Sequence, residues 1–186
     1  MDKNKINTAI EQVKETFQSY PDIFLTESDM KCHLFAKLLE DNNFSRIKKT
    51  KDNSNSINLH SEVRWYGRED KKLKYRSDIV IIDASDLKTK NSTVFRLPSK
   101  GYGFNKFFSI IEVKLRRKNG NSDNYFSKRI KEDIKKLRDI EKKVSKDFKG
   151  YLIIFDKKKD ITQKIKSIQG NNNISIVYSY SGDKNA

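Results

Sequence analysis

The chain of 186 residues has one cysteine, two histidines, two prolines and no long apolar run. Because Cys32 is alone, an intramolecular disulfide and a cysteine-ligated zinc or iron–sulfur site within one chain are excluded. His33 and His60 are too few for a histidine-rich metal site. No stretch approaches the roughly 18 to 20 apolar residues that cross a bilayer, and the first residues lack the apolar core of a signal peptide. We therefore expect a soluble, cytoplasmic protein with no membrane partner.

Several enzyme signatures are also missing from the chain. It has no Gly-x-x-x-x-Gly-Lys-Ser/Thr phosphate loop, no Gly-x-Ser-x-Gly elbow and no paired cysteine motif. These absences exclude P-loop nucleotide hydrolysis, serine-hydrolase chemistry of the elbow type and zinc-finger folds.

Positive charge is what the chain has in excess. Forty lysines and arginines stand against 25 aspartates and glutamates, which gives a net charge of +15 spread along the whole sequence. Nucleic acid is the partner that this excess favours first, because neutralising phosphates releases counterions and supplies most non-specific affinity. An anionic membrane surface is the weaker alternative, so nucleic acid and not a membrane is the expected partner.

The length predicts a single domain over residues 1–180, followed by a disordered tail at 181–186. Apolar periodicity and turn residues separate the helices from the strands. Long polar or charged connections are expected at 50–56, 67–74 and 86–105. The predicted helices are 5–18, one that begins with a capping box at Thr26–Asp29, 124–146 and 159–168, and the predicted strands are 57–66, 75–83, 106–116, 151–155 and 174–178.

Three charged residues lie inside or at the head of apolar strands. Asp78 opens the run Ile79–Ile82, and Glu112 and Lys114 interrupt the run 109–115. Because strand side chains alternate, Glu112 and Lys114 share one side of the sheet. Buried charges need partners, and a divalent metal with a phosphate substrate would satisfy all three residues.

The acid-x-Lys tripeptide is informative only in its context. It occurs nine times in this lysine-rich chain, and most of the other eight copies lie among turn residues or on helical patterns. Surface exposure explains those copies. Only Glu112–Lys114 is flanked by strand-like residues on both sides.

The order helix, three strands, helix, strand, with Asp78 opening the second strand and Glu112-Val-Lys114 in the third, resembles the PD-(D/E)XK nuclease superfamily. The resemblance covers roughly residues 27–156, and Ser77 stands where that motif usually has proline. It implies an α/β restriction-endonuclease-like αβββαβ core, with a mixed central sheet flanked by helices. An extra N-terminal helix and a C-terminal helix–strand addition would complete the domain.

The resemblance also implies roles for individual residues. Asp78 and Glu112 would bind Mg²⁺, for which Mn²⁺ can substitute, and the carbonyl of Val113 would be a third ligand. Lys114 would orient or help to deprotonate the attacking water and offset charge on the phosphate. Glu27, on the helix before the sheet, would reach the metal through water, with Asp29 as its substitute.

Basic residues near this motif are candidates for nucleic-acid contacts. Arg116 and Arg117 come just after Lys114, at the end of the strand that carries Glu112. The pattern Asp133-x-x-Lys136-Leu137 resembles one in several nuclease families that directs the lysine to the active site. Lys128 and Lys131 are weaker candidates on the same helix. Glu62 has two interpretations, a further metal ligand or a member of an exposed salt bridge.

The expected activity is metal-dependent hydrolysis of phosphodiester bonds in nucleic acid, in DNA rather than RNA, as in a restriction or phage-defence endonuclease. The alternative is a non-catalytic, basic nucleic-acid-binding or assembly subunit on the same fold. Specificity would come from loops 67–74 and 86–105, from a homodimer, or from a recruiting motor or recognition protein.

Overall fold

A mixed five-stranded sheet forms the centre of the computed structural model, which describes residues 3–66, 73–87, 107–144, 148–168 and 171–182. Side chains are described for these residues except 65–66, 73–74, 107–108 and 143–144. The helices are α1 Lys3–Ser19, α2 Glu27–Leu39, α3 Asn42–Ser45, α4 Asp123–Val144 and α5 Thr162–Lys166. The strands are β1 Lys48–Lys49, β2 Asn55–Ser56, β3 Leu59–Tyr66, β4 Leu73–Ile82, β5 Phe107–Arg116, β6 Lys149–Asp156 and β7 Ile174–Tyr180.

The order of the central sheet is β3-β4-β5-β6-β7. Strands β3, β4 and β5 pair antiparallel, whereas β5, β6 and β7 pair parallel. Parallel neighbours need a crossover connection, and α4 supplies it between β5 and β6. The α/β class with a mixed sheet flanked by helices is therefore as predicted.

Both faces of the sheet are covered, which makes three layers. Ile79, Ile111 and Val113 face the side covered by α1 and α2, while Val80 and Ile110 face the side covered by α4. This alternation places Ile111 and Val113 on one face and buries the Ile79–Ile82 run on both sides of the sheet. It also leaves Glu112 and Lys114 on the α4 side of β5.

The helices begin and pack as their apolar spacing predicts. Thr26 and Asp29 form the capping box of α2, each side chain accepting a hydrogen bond from the other's backbone amide. Helix α4 buries a single stripe against the sheet. That stripe consists of Phe126, Ile130, Ile134, Leu137 and Ile140.

Three local predictions differ from the structure. The polar segment 50–56 is closed by the β1–β2 hairpin, whose turn is held by the Thr50 hydroxyl accepting from Ser54 N at 3.0 Å. Helix α5 is shorter than 159–168, because the Asp160 carboxylate accepts from Thr162 N at 2.8 Å and forms a turn before it. The ordered chain passes residue 180, since Ser181 is buried and its amide donates to Asp156 O at 3.0 Å.

Other predictions fall wholly or largely outside the described residues. They concern the two loops expected to give specificity, of which residues 67–72 and 88–106 are not described, and the end of the tail at 183–186. Among the helices that are described, none is long and apolar enough to cross a membrane.

Candidate functional site

The candidate site lies where β4 and β5 stop pairing. Ile79 and Ile111 are the last paired residues at this end, and Asp78 and Glu112 come next on the two strands. The Asp78 carboxylate then accepts a hydrogen bond from Val113 N, 2.9 Å from Oδ2. The N–H and C=O of one strand residue point to the same side, so the carbonyl of Val113 also faces the gap. We call this gap between the two strands the cleft.

Glu27 fills the next position along the cleft. Its Oε2 accepts from Leu115 N at 3.3 Å, while Oε1 lies 3.3 Å from the Lys114 ammonium. Asp29, the alternative to Glu27, is occupied in the capping box, where its Oδ2 accepts from Leu25 N and Thr26 N. The cap thus places Glu27, and not Asp29, against β5.

Glu112 is the most buried carboxylate of the cleft, with 1% of its surface exposed. Burial raises its pKa to about 8, and the negative charges of Asp78 and Asp133 add to this effect, while Lys136 opposes it. Its Oε2 accepts from Lys136 Nζ, but Oε1 has no hydrogen-bond partner among the described residues. A buried carboxylate oxygen without a partner is costly, and a bound cation would satisfy it.

Lys114 is held between carboxylates from two helices. Its Nζ lies 3.2 Å from Asp133 Oδ2 on α4 and 3.3 Å from Glu27 Oε1 on α2. Burial alone lowers the pKa of Lys114, but Asp133, Glu27 and Asp78 outweigh it and the net pKa is raised. The side chain is therefore an ammonium at neutral pH, suited to stabilising negative charge and orienting water rather than to accepting a proton.

Glu62 and Lys31 extend the cluster onto the neighbouring strand. Glu62 lies between the pairs Ser61–Ile79 and Val63–Ser77, which puts it opposite Asp78. Its φ of 56° is in the left-handed region, which is unusual for a residue with a side chain. Glu62 forms ion pairs with both Lys31 and Arg76, and Lys31 Nζ also lies 3.5 Å from Asp78 Oδ1.

The structure shows the salt-bridge interpretation of Glu62, and its role as a further metal ligand stays a prediction. It belongs to a salt bridge, and through Lys31 it is connected to Asp78. Sequence reasoning missed Lys31 and Asp133 as members of the cluster. The only available signal for Lys31 was its position four residues after Glu27, which puts the two side chains on one face of α2.

The donor set of the cleft fits a hard cation. Asp78, Glu112 and the Val113 carbonyl offer oxygen ligands, and Mg²⁺ commonly takes one or two carboxylates and keeps several waters. No group of three histidine, cysteine, aspartate or glutamate side chains in the described part of the chain is arranged to hold a metal. A site built on these residues would therefore rely on two carboxylates, one carbonyl and water.

Arg116 was predicted to contact phosphate, but it is buried, with 2% of its surface exposed. Its guanidinium donates to Asp156 and Asp123, also to Lys159 O, and lies 4.9 Å above the Phe126 ring. Since Arg116 and Asp156 are paired in register on β5 and β6, this contact belongs to the interior. We do not retain Arg116 as a phosphate contact.

The remaining basic candidates divide into two groups. Lys136 reaches the cleft, where it donates to Glu112 and, at 3.0 Å, to Arg76 O. Arg117 is exposed just beyond β5, and Lys128 and Lys131 are exposed on α4. At about 100° per residue, Lys131 is turned roughly 140° around the helix from Lys136. Lys131 therefore points away from the cleft.

The structure brings together Asp78, Glu112, Lys114, Glu27 and the Val113 carbonyl, with Lys136 beside them. Compared with known proteins, the chain matches no family model, no curated protein and no solved structure. The cluster in the cleft is the basis on which a function is proposed.

Proposed function

We propose that the protein is a metal-dependent nuclease with a restriction-endonuclease-like αβββαβ core, hydrolysing phosphodiester bonds in nucleic acid, DNA before RNA. The observation that carries the proposal is the convergence of Asp78, Glu112 and Lys114 where β4 and β5 separate, with Glu112 Oε1 buried and unpartnered among the described residues. The net charge of +15 supports a polyanionic substrate.

Each side chain has a defined part in this chemistry. Asp78, Glu112 and the Val113 carbonyl would hold Mg²⁺ or Mn²⁺, which would polarise the phosphate and lower the pKa of water. The Lys114 ammonium stabilises negative charge that develops on the phosphate oxygens and orients the attacking water. Lys31 lies against Asp78 Oδ1 and Lys136 against Glu112 Oε2, so a cation bound at these two oxygens would replace both contacts.

Cleavage of a supercoiled plasmid in Mg²⁺ or Mn²⁺ tests the proposal. We expect Asp78→Asn and Lys114→Gln each to lower the rate by about a hundredfold or more, because the first weakens metal binding and the second removes the ammonium that stabilises charge on the phosphate. EDTA should abolish cleavage by the wild type. The matched controls are Glu40→Gln and Lys37→Gln, which alter a surface ion pair at the end of α2 and should cleave normally. Full activity in both cleft variants would refute the assignment.

The second candidate is a non-catalytic nucleic-acid-binding or assembly subunit on the same fold. One observation favours it: Asp78 and Glu27 also serve the structure, since they accept from the otherwise unpaired amides of Val113 and Leu115. For such a subunit, Asp78→Asn would lower the free energy of unfolding and leave binding unchanged. Salt-sensitive binding without cleavage in any divalent metal would decide for this candidate.

A further inference from the structure

Helix α4 carries a straight line of exposed cations on its outer surface. The spacing between them alternates between three and four residues, which keeps them on one side of the helix. We call this line the basic ridge. It consists of Lys128, Lys131, Lys135, Arg138 and Lys142, all exposed.

The basic ridge is separate from the cleft. At about 100° per residue its five positions fall within an arc of roughly 80°, and the 14 residues from the first to the last span about 21 Å. Asp133 and Lys136, which do reach the cleft, lie on the flank of α4 that faces β5. A ligand on the basic ridge would therefore occupy a different surface from one bound at Lys114.

The acidic residues of α4 are directed to other partners, except Glu132, which is exposed four residues after Lys128 and three before Lys135. Asp139 accepts from the Tyr75 hydroxyl, Glu141 accepts from the side chains of Asn171 and Asn173, and Asp133 faces Lys114. Within the described residues, no carboxylate lies within ion-pair distance of the four ridge lysines. On α1 and α2, by contrast, lysines pair with glutamates three residues away.

Like charges three and four residues apart repel each other and destabilise a helix. A polyanion laid along the ridge would relieve this repulsion and release its own counterions. Binding of single strands usually adds aromatic side chains on which bases stack, but residues 128–142 include no aromatic residue, and the exposed Tyr125 lies three residues before the ridge begins. A rigid line of cations is instead suited to the regularly spaced phosphates of a duplex.

We propose that the basic ridge of α4 binds the phosphate backbone of duplex nucleic acid, independently of base sequence and of the cleft. The statement that the ridge contacts a substrate rests on the proposed function. Binding of a duplex to the ridge can nevertheless be measured without hydrolysis. The ridge would hold a long duplex on the protein while the cleft acts at another position along the same duplex. Lys128 and Lys131 then contact nucleic acid at this second surface.

The test is fluorescence anisotropy of a labelled 30-base-pair duplex in EDTA over a range of potassium chloride concentrations. The ridge variant combines Lys131→Gln, Lys135→Gln and Lys142→Gln. The control variant combines Lys3→Gln, Lys49→Gln and Lys166→Gln, which are exposed elsewhere and remove the same charge. We expect the slope of log affinity against log salt to become shallower by about 2 to 3 units in the ridge variant alone.

Other outcomes would overturn the inference. They are equal slopes in the ridge and control variants, no duplex binding by the wild type, equal loss of affinity for single strands, or ridge-dependent binding only to phosphatidylserine vesicles. Helicity and unfolding curves should show the ridge variant folded and at least as stable as the wild type, because repulsion is removed. Ridge-dependent binding without any cleavage would support the proposal for the basic ridge and reject only the nuclease proposal.

Discussion

At the scale of single residues, Glu112 is both the most buried carboxylate of the cleft and a proposed metal ligand. It is buried beside Asp78 and Asp133, and the Lys136 ammonium is its only hydrogen-bond donor among the described residues. With a pKa raised to about 8, the metal-free carboxyl is largely protonated at neutral pH. A cation must displace this proton, so metal affinity should rise with pH up to about 8.

The same pKa predicts how stability depends on pH. Folded Glu112 binds its proton more tightly than the unfolded chain, whose pKa is near 4.5. Between these values the native state binds more protons, so the free energy of unfolding falls as pH rises from about 4.5 to 8 in EDTA, by at most about 1.4 kcal/mol per pH unit for one group. Glu112→Gln should remove this part of the slope. Urea denaturation at pH 5, 7 and 9 measures it, and identical slopes in both proteins would contradict the prediction.

Arg116 and Arg117 form a natural pair for comparison. Arg116 is buried against Asp156, which is itself fully buried, whereas Arg117 is exposed. Arg116→Ala should lower the free energy of unfolding by about 3 to 5 kcal/mol, because it leaves the Asp156 charge buried without its partner. Arg117→Ala, as the control, should change it by less than about 0.5 kcal/mol. Urea denaturation of the two variants at neutral pH would reveal the difference, and equal stabilities would show that the buried network contributes nothing.

At the scale of elements, α2 contributes side chains to the cleft although it lies outside the sheet. Its capping box sets where the helix begins, and one turn later Lys31 follows Glu27 on the same face. The separation of β4 from β5 leaves two amides of β5 without a strand partner, and α2 and Asp78 provide the acceptors. The cleft is thus a product of one helix start and one interruption of strand pairing.

The cap of α2 can be tested directly. Thr26→Ala should cost about 1 kcal/mol in the free energy of unfolding, because Asp29 N loses its acceptor. The cap also positions Glu27. At temperatures where the variant is fully folded, its rate of metal-dependent cleavage should therefore still be lower than that of the wild type. Thr26→Ser keeps the hydroxyl and should restore both properties. A stable, fully active Thr26→Ala protein would show that the cap is not needed to position Glu27 in the cleft.

At the scale of the whole molecule, metal binding and folding should be coupled. A cation that binds only the folded cleft stabilises it by about 2.7 kcal/mol at a hundred times its Kd. Thermal unfolding with and without millimolar Mn²⁺ should therefore show a rise in Tm for the wild type. Asp78→Asn should lack most of this rise, while Glu40→Gln should keep it. Equal shifts in all three proteins would mean that the metal acts outside the cleft.

The sequence by itself determined much of the local structure. Period-two alternation put Glu112 and Lys114 on one side of β5, and the apolar stripe of α4 and the capping box of α2 occur where they were expected. These features could be predicted because side-chain burial and helix caps follow from residues close together in the chain. The short β1–β2 hairpin was missed, since two-residue strands carry no periodicity.

Only the tertiary structure decided the partners of the buried charges. Arg116 meets Asp156, 40 residues away, and Lys114 meets Glu27, 87 residues away. Asp133 and Lys31 were not assigned to the cleft from the sequence, although Asp133 begins the pattern that indicated Lys136 and Lys31 follows Glu27 by four residues. A sequence pattern shows that a charge lies in a strand and needs compensation, but which carboxylate or ammonium compensates it depends on which elements pack side by side. That packing also separates the cleft from the basic ridge, because the two flanks of one helix face different surroundings.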